Sequence, residues 1–138
     1  MPLALQYSAD GRGAFATASG KLTGDEFLAA VKTVNERDPT TPILYLFFDF
    51  NGVSEVTWSV EDIKEAAKLA VAASRQDGVP RVVAIFAADD LHYGLARMYL
   101  AYIEETGWEA SIFRTRPDAI AWLRQRVATK FGIAVDLA

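Results

Sequence analysis

Two short, almost wholly apolar runs constrain the fold of this chain more than any other feature of its sequence. Ile43 to Phe50 reads ILYLFFDF, and Val82 to Ala87 reads VVAIFA. Both runs are too short for most helices and are rich in β-forming residues, and a strand without polar alternation is typically covered on both faces. We therefore predict that both runs are interior, parallel strands of a sheet against which helices pack.

Four segments carry the start and stop signals of helices. The first opens on a capping box formed by Thr23 and Glu26, and Asp38-Pro39 stops it. The third is predicted to run from Leu91 to Thr106. The remaining boundaries are caps at Ser59, Asp89 and Thr115 and stops at Gly78, Gly107 and Gly132. The last three helices each follow a predicted strand.

The other strands complete the order of the elements. Leu3 to Tyr7 and Ala14 to Ser19 flank the turn signal Asp10-Gly11, which predicts an opening hairpin. Glu109 to Phe113 predicts a short last strand. The order is therefore ββαβαβαβα. Right-handed crossovers then build one α/β domain over residues 1–138, with a mostly parallel sheet covered by helices.

Composition excludes several kinds of chemistry. The 138 residues include no cysteine and one histidine, His92, which excludes disulfides, thiolate nucleophiles and metal sites built from several such residues. Fourteen Lys and Arg against 18 Asp and Glu give a net charge of −4, and the scattered basic residues predict no nucleic-acid binding. No apolar run approaches the ~18 residues of a membrane span, and the N-terminus has no basic leader. We expect a cytoplasmic protein without a cofactor or metal.

The carboxyl ends of the central strands are where a sheet of this kind meets ligands and partners. In this chain they lie within residues 49–59 and 87–97. Asp49 is the one charge of the first apolar run, and Asn51-Gly52 is predicted to turn the chain after it. Trp58 precedes a helix, where a large aromatic ring either fixes that helix to the core or lines a pocket.

Two strings that open helices carry a resemblance to a known family. YGLARMY, from Tyr93 to Tyr99, opens the third helix, and DAIAWL, from Asp118 to Leu123, opens the last. The order and spacing of these strings make nearly the whole chain resemble a STAS-type domain of the SpoIIAA-like kind. The resemblance implies a regulatory or binding module without catalysis, since anti-sigma-factor antagonists, sensory modules and transporter tails share this fold. CRAL-TRIO lipid carriers are structurally similar.

The same resemblance singles out Ser59. In the antagonists, a strand ending in Asp with a following Gly-Val leads to an Asp-Ser-Ser-Gly motif, whose second serine starts a helix and is phosphorylated by a partner kinase. Asp49, Gly52 and Val53 match this pattern, and ungapped spacing carries the phosphorylated serine onto Ser59. Thr57, Trp58 and Val60 replace the motif's Asp, first Ser and Gly. We predict that Ser59 is chiefly a helix N-cap, with phosphorylation as the alternative.

The third predicted helix is apolar on nearly all sides. Its projection places His92 at the edge of the apolar face, where a partly buried residue beside the cap Asp89 is expected rather than a base. Tyr93 and Leu100, with the stem of Arg97, are predicted to lie on the outer side and to contact a second copy or another protein. Stacking of Tyr93 on Arg97 is the local alternative. The opposite side would hold Leu91, Leu95, Met98 and Tyr102.

The resemblance implies a non-catalytic regulatory module, and we expect it to bind a protein partner or a second copy of itself. Its partner- or ligand-binding residues are predicted to be Asp49, Asn51, Trp58, Asp89, His92, Tyr93, Arg97 and Leu100. The alternative is a carrier or sensor of a small apolar ligand, with a pocket under Trp58, Tyr93 and Met98. An enzyme that uses Asp49, Asp89 and His92 is a third interpretation, although no nucleophile motif accompanies the histidine.

Overall fold

The computed structural model describes residues 3–36 and 41–135. Its helices and strands follow the predicted order ββαβαβαβα. The strands are β1 Leu3–Tyr7, β2 Gly13–Thr23, β3 Tyr45–Thr57, β4 Val82–Phe86 and β5 Glu109–Phe113. The helices are α1 Gly24–Asn35, α2 Val60–Asp77, α3 Asp90–Tyr102 and α4 Arg116–Phe131. The predicted helix stop at Asp38-Pro39 lies outside the described residues.

The five strands form one sheet in the order β1-β2-β3-β4-β5. β1 runs antiparallel to β2, and every other neighbouring pair is parallel. β3 is the central strand and β4 lies between β3 and β5, which confirms that both apolar runs form interior, parallel strands. The prediction of a mostly parallel α/β sheet is therefore confirmed.

Alternate residues of β3 face two separate cores, which explains its lack of polar alternation. Leu46 and Phe48 pack with apolar residues of α1, α2 and α3 on one face of the sheet. Tyr45 and Phe47 pack with Leu123 and other residues of α4 on the opposite face. The sheet is thus covered on both faces, and the carboxyl ends of β3 and β4 lie near the beginnings of α2 and α3.

The helix boundaries mostly agree with the sequence signals, with one correction in the third helix. Thr23 and Ser59 form capping boxes, Asp89 and Thr115 cap α3 and α4, and Gly78 and Gly132 end α2 and α4 in the left-handed conformation. The third helix ends at Tyr102 rather than at Thr106. Residues Glu104–Thr106 form a tighter 3₁₀ turn closed by Gly107, because the chain must reverse there to enter β5.

Strands β2 and β3 are longer than predicted. β2 continues past Ser19 to Thr23, and β3 continues past Asn51-Gly52 to Thr57. The predicted turn at Asn51-Gly52 is therefore wrong. A Cβ atom on Gly52 would lie 2.9 Å from the carbonyl oxygen of Ala18, so this glycine permits a close approach of two strands and does not reverse the chain.

None of the helices in the described part of the chain combines the length and the apolar character needed to cross a bilayer.

Candidate functional site

The carboxyl edge of the sheet carries a projecting pair of strands. β3 pairs with β4 from Tyr45 to Asp49, whereas its pairing with β2 continues to Thr57. Residues 19–23 of β2 and 50–57 of β3 therefore form a two-stranded parallel extension beyond the end of β4, which we name the β2–β3 ribbon. The ribbon ends at the caps of α1 and α2, because Thr23 pairs with Thr57.

Two irregularities shape the ribbon. The register advances from Thr17 opposite Asp49 to Ser19 opposite Gly52, and it shifts again between Gly20 and Lys21. Each shift places one extra residue in β3, and such bulges bend a strand and increase its twist. Val53 and Leu22 stay buried, while the exposed ribbon residues are Ser19, Gly20, Lys21, Asn51, Gly52, Ser54, Glu55 and Thr57. The ribbon thus presents polar side chains on a backbone fixed by strand pairing.

Asp49 lies at the base of the ribbon. One carboxylate oxygen accepts a hydrogen bond from the Asn51 N–H at 2.9 Å, and the other lies 3.8 Å from Arg116 Nε at the start of α4. The Asp49 side chain is only 17% exposed. Its role in the structure is to hold the bend at Asn51, and Asn51 itself extends into solvent.

Ser59 begins α2 through a reciprocal capping box. Its Oγ accepts from the Asp62 N–H at 3.1 Å, and its own N–H donates to Asp62 Oδ2 at 3.0 Å. The Asp62 carboxylate also lies against Gly24, where an added Cβ would overlap it, so the N-termini of α1 and α2 meet. The predicted cap at Ser59 is confirmed. A phosphoryl group there would sit beside the carboxylates of Glu61 and Asp62, which opposes its negative charge.

We expect Ser59→Ala to lower the free energy of unfolding by about 1 kcal/mol, because the Asp62 N–H loses its acceptor. Ser59→Asp should stay within about 0.5 kcal/mol of the parent, since aspartate also caps helices well. Urea denaturation followed by circular dichroism measures both values. Ser54→Ala, on the exposed ribbon, is the control and should change little; an equal loss in Ser54→Ala would contradict the capping role.

Trp58 packs against the hydrophobic core between the sheet and helices α1, α2 and α3. Its ring stacks on Phe27 at a centroid distance of 4.2 Å and meets the edge of Phe50 at 5.7 Å. The cavity that these rings border has a volume of about 10 Å³, roughly the minimum needed for one water molecule. Tyr93 and Met98 do not line it. The predicted apolar ligand pocket under Trp58 is therefore filled by side chains of the protein.

His92 and Asp89 make the local contacts of a helix start. The His92 N–H donates to Asp89 Oδ1 at 2.9 Å, and His92 Nδ1 lies against Asp89 Oδ2. Desolvation acts to raise the pKa of the Asp89 carboxyl, but the hydrogen bond and charge of His92 outweigh it and lower that pKa. The stabilisation from Asp89 is therefore present above its unfolded-state pKa and is lost as the pH falls through the lower, folded value.

The orientation of α3 differs from the prediction. His92 lies on the buried side together with Ala96 and Tyr99, and not at the edge of that side. Tyr93 and Leu100 are half-buried and packed against the core. Leu91 and Tyr102 are the large apolar residues of the helix that are exposed, at 62% and 38%. The predicted outward position of Tyr93 and Leu100 is therefore wrong, while Arg97 is exposed as predicted.

The sequence analysis missed two arginines that reach this edge from the segment after β5. Arg114 lies 4.2 Å above the Tyr93 ring and donates to Asp90 Oδ1 at 2.8 Å, so it takes the stacking position predicted for Arg97. Arg116 faces Asp49. Their position directly after a parallel strand could have indicated them, because all such strand ends meet at one edge. In the described ranges, no group of three or more acidic or histidine side chains could hold a metal ion.

Comparison with known proteins identifies the fold. No protein-family model matches the chain, and no curated protein matches it either. An uncharacterized protein of the DUF3478 family with a SpoIIAA-like fold, from Shewanella loihica PV-4, is 21% identical, with a TM-score of 0.54 over 88% of this chain and 91% of that one. The chain therefore has a SpoIIAA-like fold, as its resemblance to STAS-type domains of the SpoIIAA-like kind predicted.

Two other solved structures match with lower TM-scores. The STAS domain of an antisigma-factor antagonist from Rhodobacter sphaeroides is 17% identical, with a TM-score of 0.30 over 85% of this chain and 88% of that domain. The structure of Mglu is 8% identical, with a TM-score of 0.36 over 81% of this chain and 19% of that protein.

Proposed function

We propose that this protein is a non-catalytic regulatory module that binds a protein partner through the carboxyl edge of its sheet. The contact surface consists of the β2–β3 ribbon and the starts of α2 and α3. A regulatory role is compatible with the SpoIIAA-like fold and with the sequence resemblance to anti-sigma-factor antagonists. The observation that carries the proposal is the ribbon, which extends past β4 and exposes Asn51, Ser54 and Glu55.

A paired ribbon is suited to binding because its backbone is already ordered. Binding to the ribbon therefore loses less conformational entropy than binding to a free loop, which would have to become ordered. Among the described strands, β3 is paired on one side only beyond Asp49, so its other edge offers backbone groups to a partner segment. The exposed side chains beside that edge would then provide specificity.

The other interpretations have less support from the geometry. A carrier of apolar ligands needs a cavity of several hundred Å³, and the space beside Trp58 is about 10 Å³. Regulation through phosphorylated Ser59 would place a dianion next to Glu61 and Asp62. We therefore assign recognition to the ribbon itself and the N-cap role to Ser59.

Charge reversal on the ribbon tests this function. Tagged parent, Glu55→Lys and Glu36→Lys proteins are expressed in the native cells, and chemical cross-linking with quantitative mass spectrometry measures partner recovery. Glu55→Lys should lower recovery of the specific partner about fivefold or more, because charge reversal disrupts a complementary contact. Glu36→Lys is the matched control, since Glu36 is equally an exposed glutamate but lies after α1.

Equal recovery with Glu55→Lys and Glu36→Lys would contradict the assignment of the ribbon as the contact surface. Sedimentation velocity of the purified proteins, over a range of concentrations, tests whether the partner is a second copy of this chain. In that case the parent should form a dimer that Glu55→Lys weakens and Glu36→Lys leaves unchanged.

A further inference from the structure

A concave surface lies away from the ribbon, between α2 and the end of α3. Its volume is about 400 Å³, within the range of about 300 to 1,000 Å³ typical of small-molecule sites. The floor is formed by small apolar side chains of α2, Ala67, Val71 and Ala72, and Tyr102 of α3 forms a wall. We name this surface the α2–α3 groove.

The floor of the groove exists because α2 has small residues where it faces the end of α3. Ala67 is buried, Val71 is half-buried and Ala72 is exposed, so the floor extends along α2 from the core to the protein surface. Tyr102 keeps 38% of its surface exposed beside them. An apolar body laid on this floor would cover the exposed parts of the Tyr102 ring, Val71 and Ala72.

Cations dominate the rim of the groove although the chain as a whole is acidic. Lys64, Lys68 and Arg75 line it from α2, and Glu105 is the one carboxylate among its described lining residues. Arg75 Nη2 and Glu105 Oε2 are 2.9 Å apart, and this pair links α2 to the 3₁₀ turn at one end. Lys64 and Lys68 are the other two cations of the rim, and each is paired with a glutamate of α2.

The two lysines are held by contacts that an anion can replace. Lys64 Nζ lies 3.7 Å from Glu61, and Lys68 Nζ lies 3.0 Å from Glu65, each pair being three residues apart on the surface of α2. Exposed pairs of this kind contribute little net stability, so exchange of partner is inexpensive. Lys64 Nζ also lies 5.9 Å from the centre of the Tyr102 ring, which places a positive charge next to the aromatic wall.

We propose that the α2–α3 groove binds a small amphiphilic anion, an aromatic or aliphatic carboxylate. The apolar body rests on Ala67, Val71 and the Tyr102 ring, and the carboxylate lies between the ammonium groups of Lys64 and Lys68. A neutral apolar ligand would make no ionic contact with the two lysines, and a cationic ligand would be repelled by them. This site goes beyond the proposed function, because none of its residues belongs to the ribbon.

The test compares 4-phenylbutyrate with 4-phenylbutan-1-ol, which has the same apolar body without the charge. Both are titrated into the ¹⁵N-labelled full chain, and amide shifts are followed by nuclear magnetic resonance. The acid should cause saturable shifts at Ala67, Val71 and Tyr102, and it should bind about fivefold or more tightly than the alcohol, since two ammonium groups contact its carboxylate. Equal affinity for the two compounds, or no saturable shift at these residues, would overturn the proposal.

Variants assign the contacts to their residues. Ala72→Trp, at an exposed helical position, fills the groove and should abolish the shifts. Lys64→Gln with Lys68→Gln should reduce the affinity for the acid to that for the alcohol. Lys32→Gln, a change of an exposed lysine on α1, is the control and should bind as the parent does. Thermal melting checks folding; if Ala72→Trp is unfolded, the paired lysine variant decides, and unchanged acid binding in it contradicts the site.

Discussion

Gly13→Ala should lower the free energy of unfolding by about 3 kcal/mol, at the upper end for overpacking a well-filled core. Gly13 begins β2 directly opposite Tyr45 of β3. A Cβ atom at Gly13 would overlap the ring carbons of Tyr45 and lie 2.6 Å from its hydroxyl oxygen. The Tyr45 side chain is completely buried, and the centre of its ring is 5.9 Å from the centre of the Phe15 ring, so any movement of the ring would disturb packed core side chains.

Guanidinium denaturation measures this loss, and two further variants show its cause. Gly94→Ala is the control, because a Cβ at Gly94 in α3 meets no atom within 4 Å. It should stabilise the protein by about 0.5 to 1 kcal/mol through the higher helix propensity of alanine. Tyr45→Leu removes the overlapping ring atoms. The double variant Gly13→Ala with Tyr45→Leu should therefore lose less free energy of unfolding than the sum of the losses of the two single variants. Additive losses would show that the clash is not the cause.

The parts of the fold that could be predicted from the sequence are those set by local signals. The apolar runs of β3 and β4 require cover on both faces, and the caps at Thr23 and Ser59 depend on residues three positions apart. The extension of β3 depends instead on distant residues. Asn51-Gly52 has the local form of a turn, but the close approach of Ala18 uses that glycine inside a strand pair. A sequence pattern does not contain that contact.

The orientation of α3 could not be predicted from the sequence either, for a different reason. A helix with apolar residues on nearly all sides has no single hydrophobic face, so its packing partners decide which residues are buried. In this structure Ala96 and Tyr99 are buried in the core, whereas Leu91 and Tyr102 are exposed. The partner of Tyr93 could not be predicted from its own helix either, because Arg114 comes from the segment after β5.

Trp58→Ala should lower the free energy of unfolding by about 3 kcal/mol, since truncating a packed aromatic ring removes its contacts and leaves a cavity. The ring lies against Phe27 of α1 and Phe50 of β3, and it directly precedes the cap of α2. It therefore joins the ribbon to two helices. Its loss should destabilise the ribbon more than distant elements such as α4.

Two measurements separate these effects. Trp58→Phe, which keeps a ring over Phe27, should lose only about 1 kcal/mol in chemical denaturation. Native-state hydrogen exchange should show faster exchange in Trp58→Ala at Val53 and Val56 of the ribbon, while the amides of Leu123 and Val127 in α4 change only by the loss of global stability. If Trp58→Ala loses no more than Trp58→Phe, or if ribbon and α4 amides accelerate equally, the ring does not anchor the ribbon. Exchange that accelerates more in the ribbon than in α4 would mean that the same aromatic contacts that fill the core also hold the proposed binding surface in place.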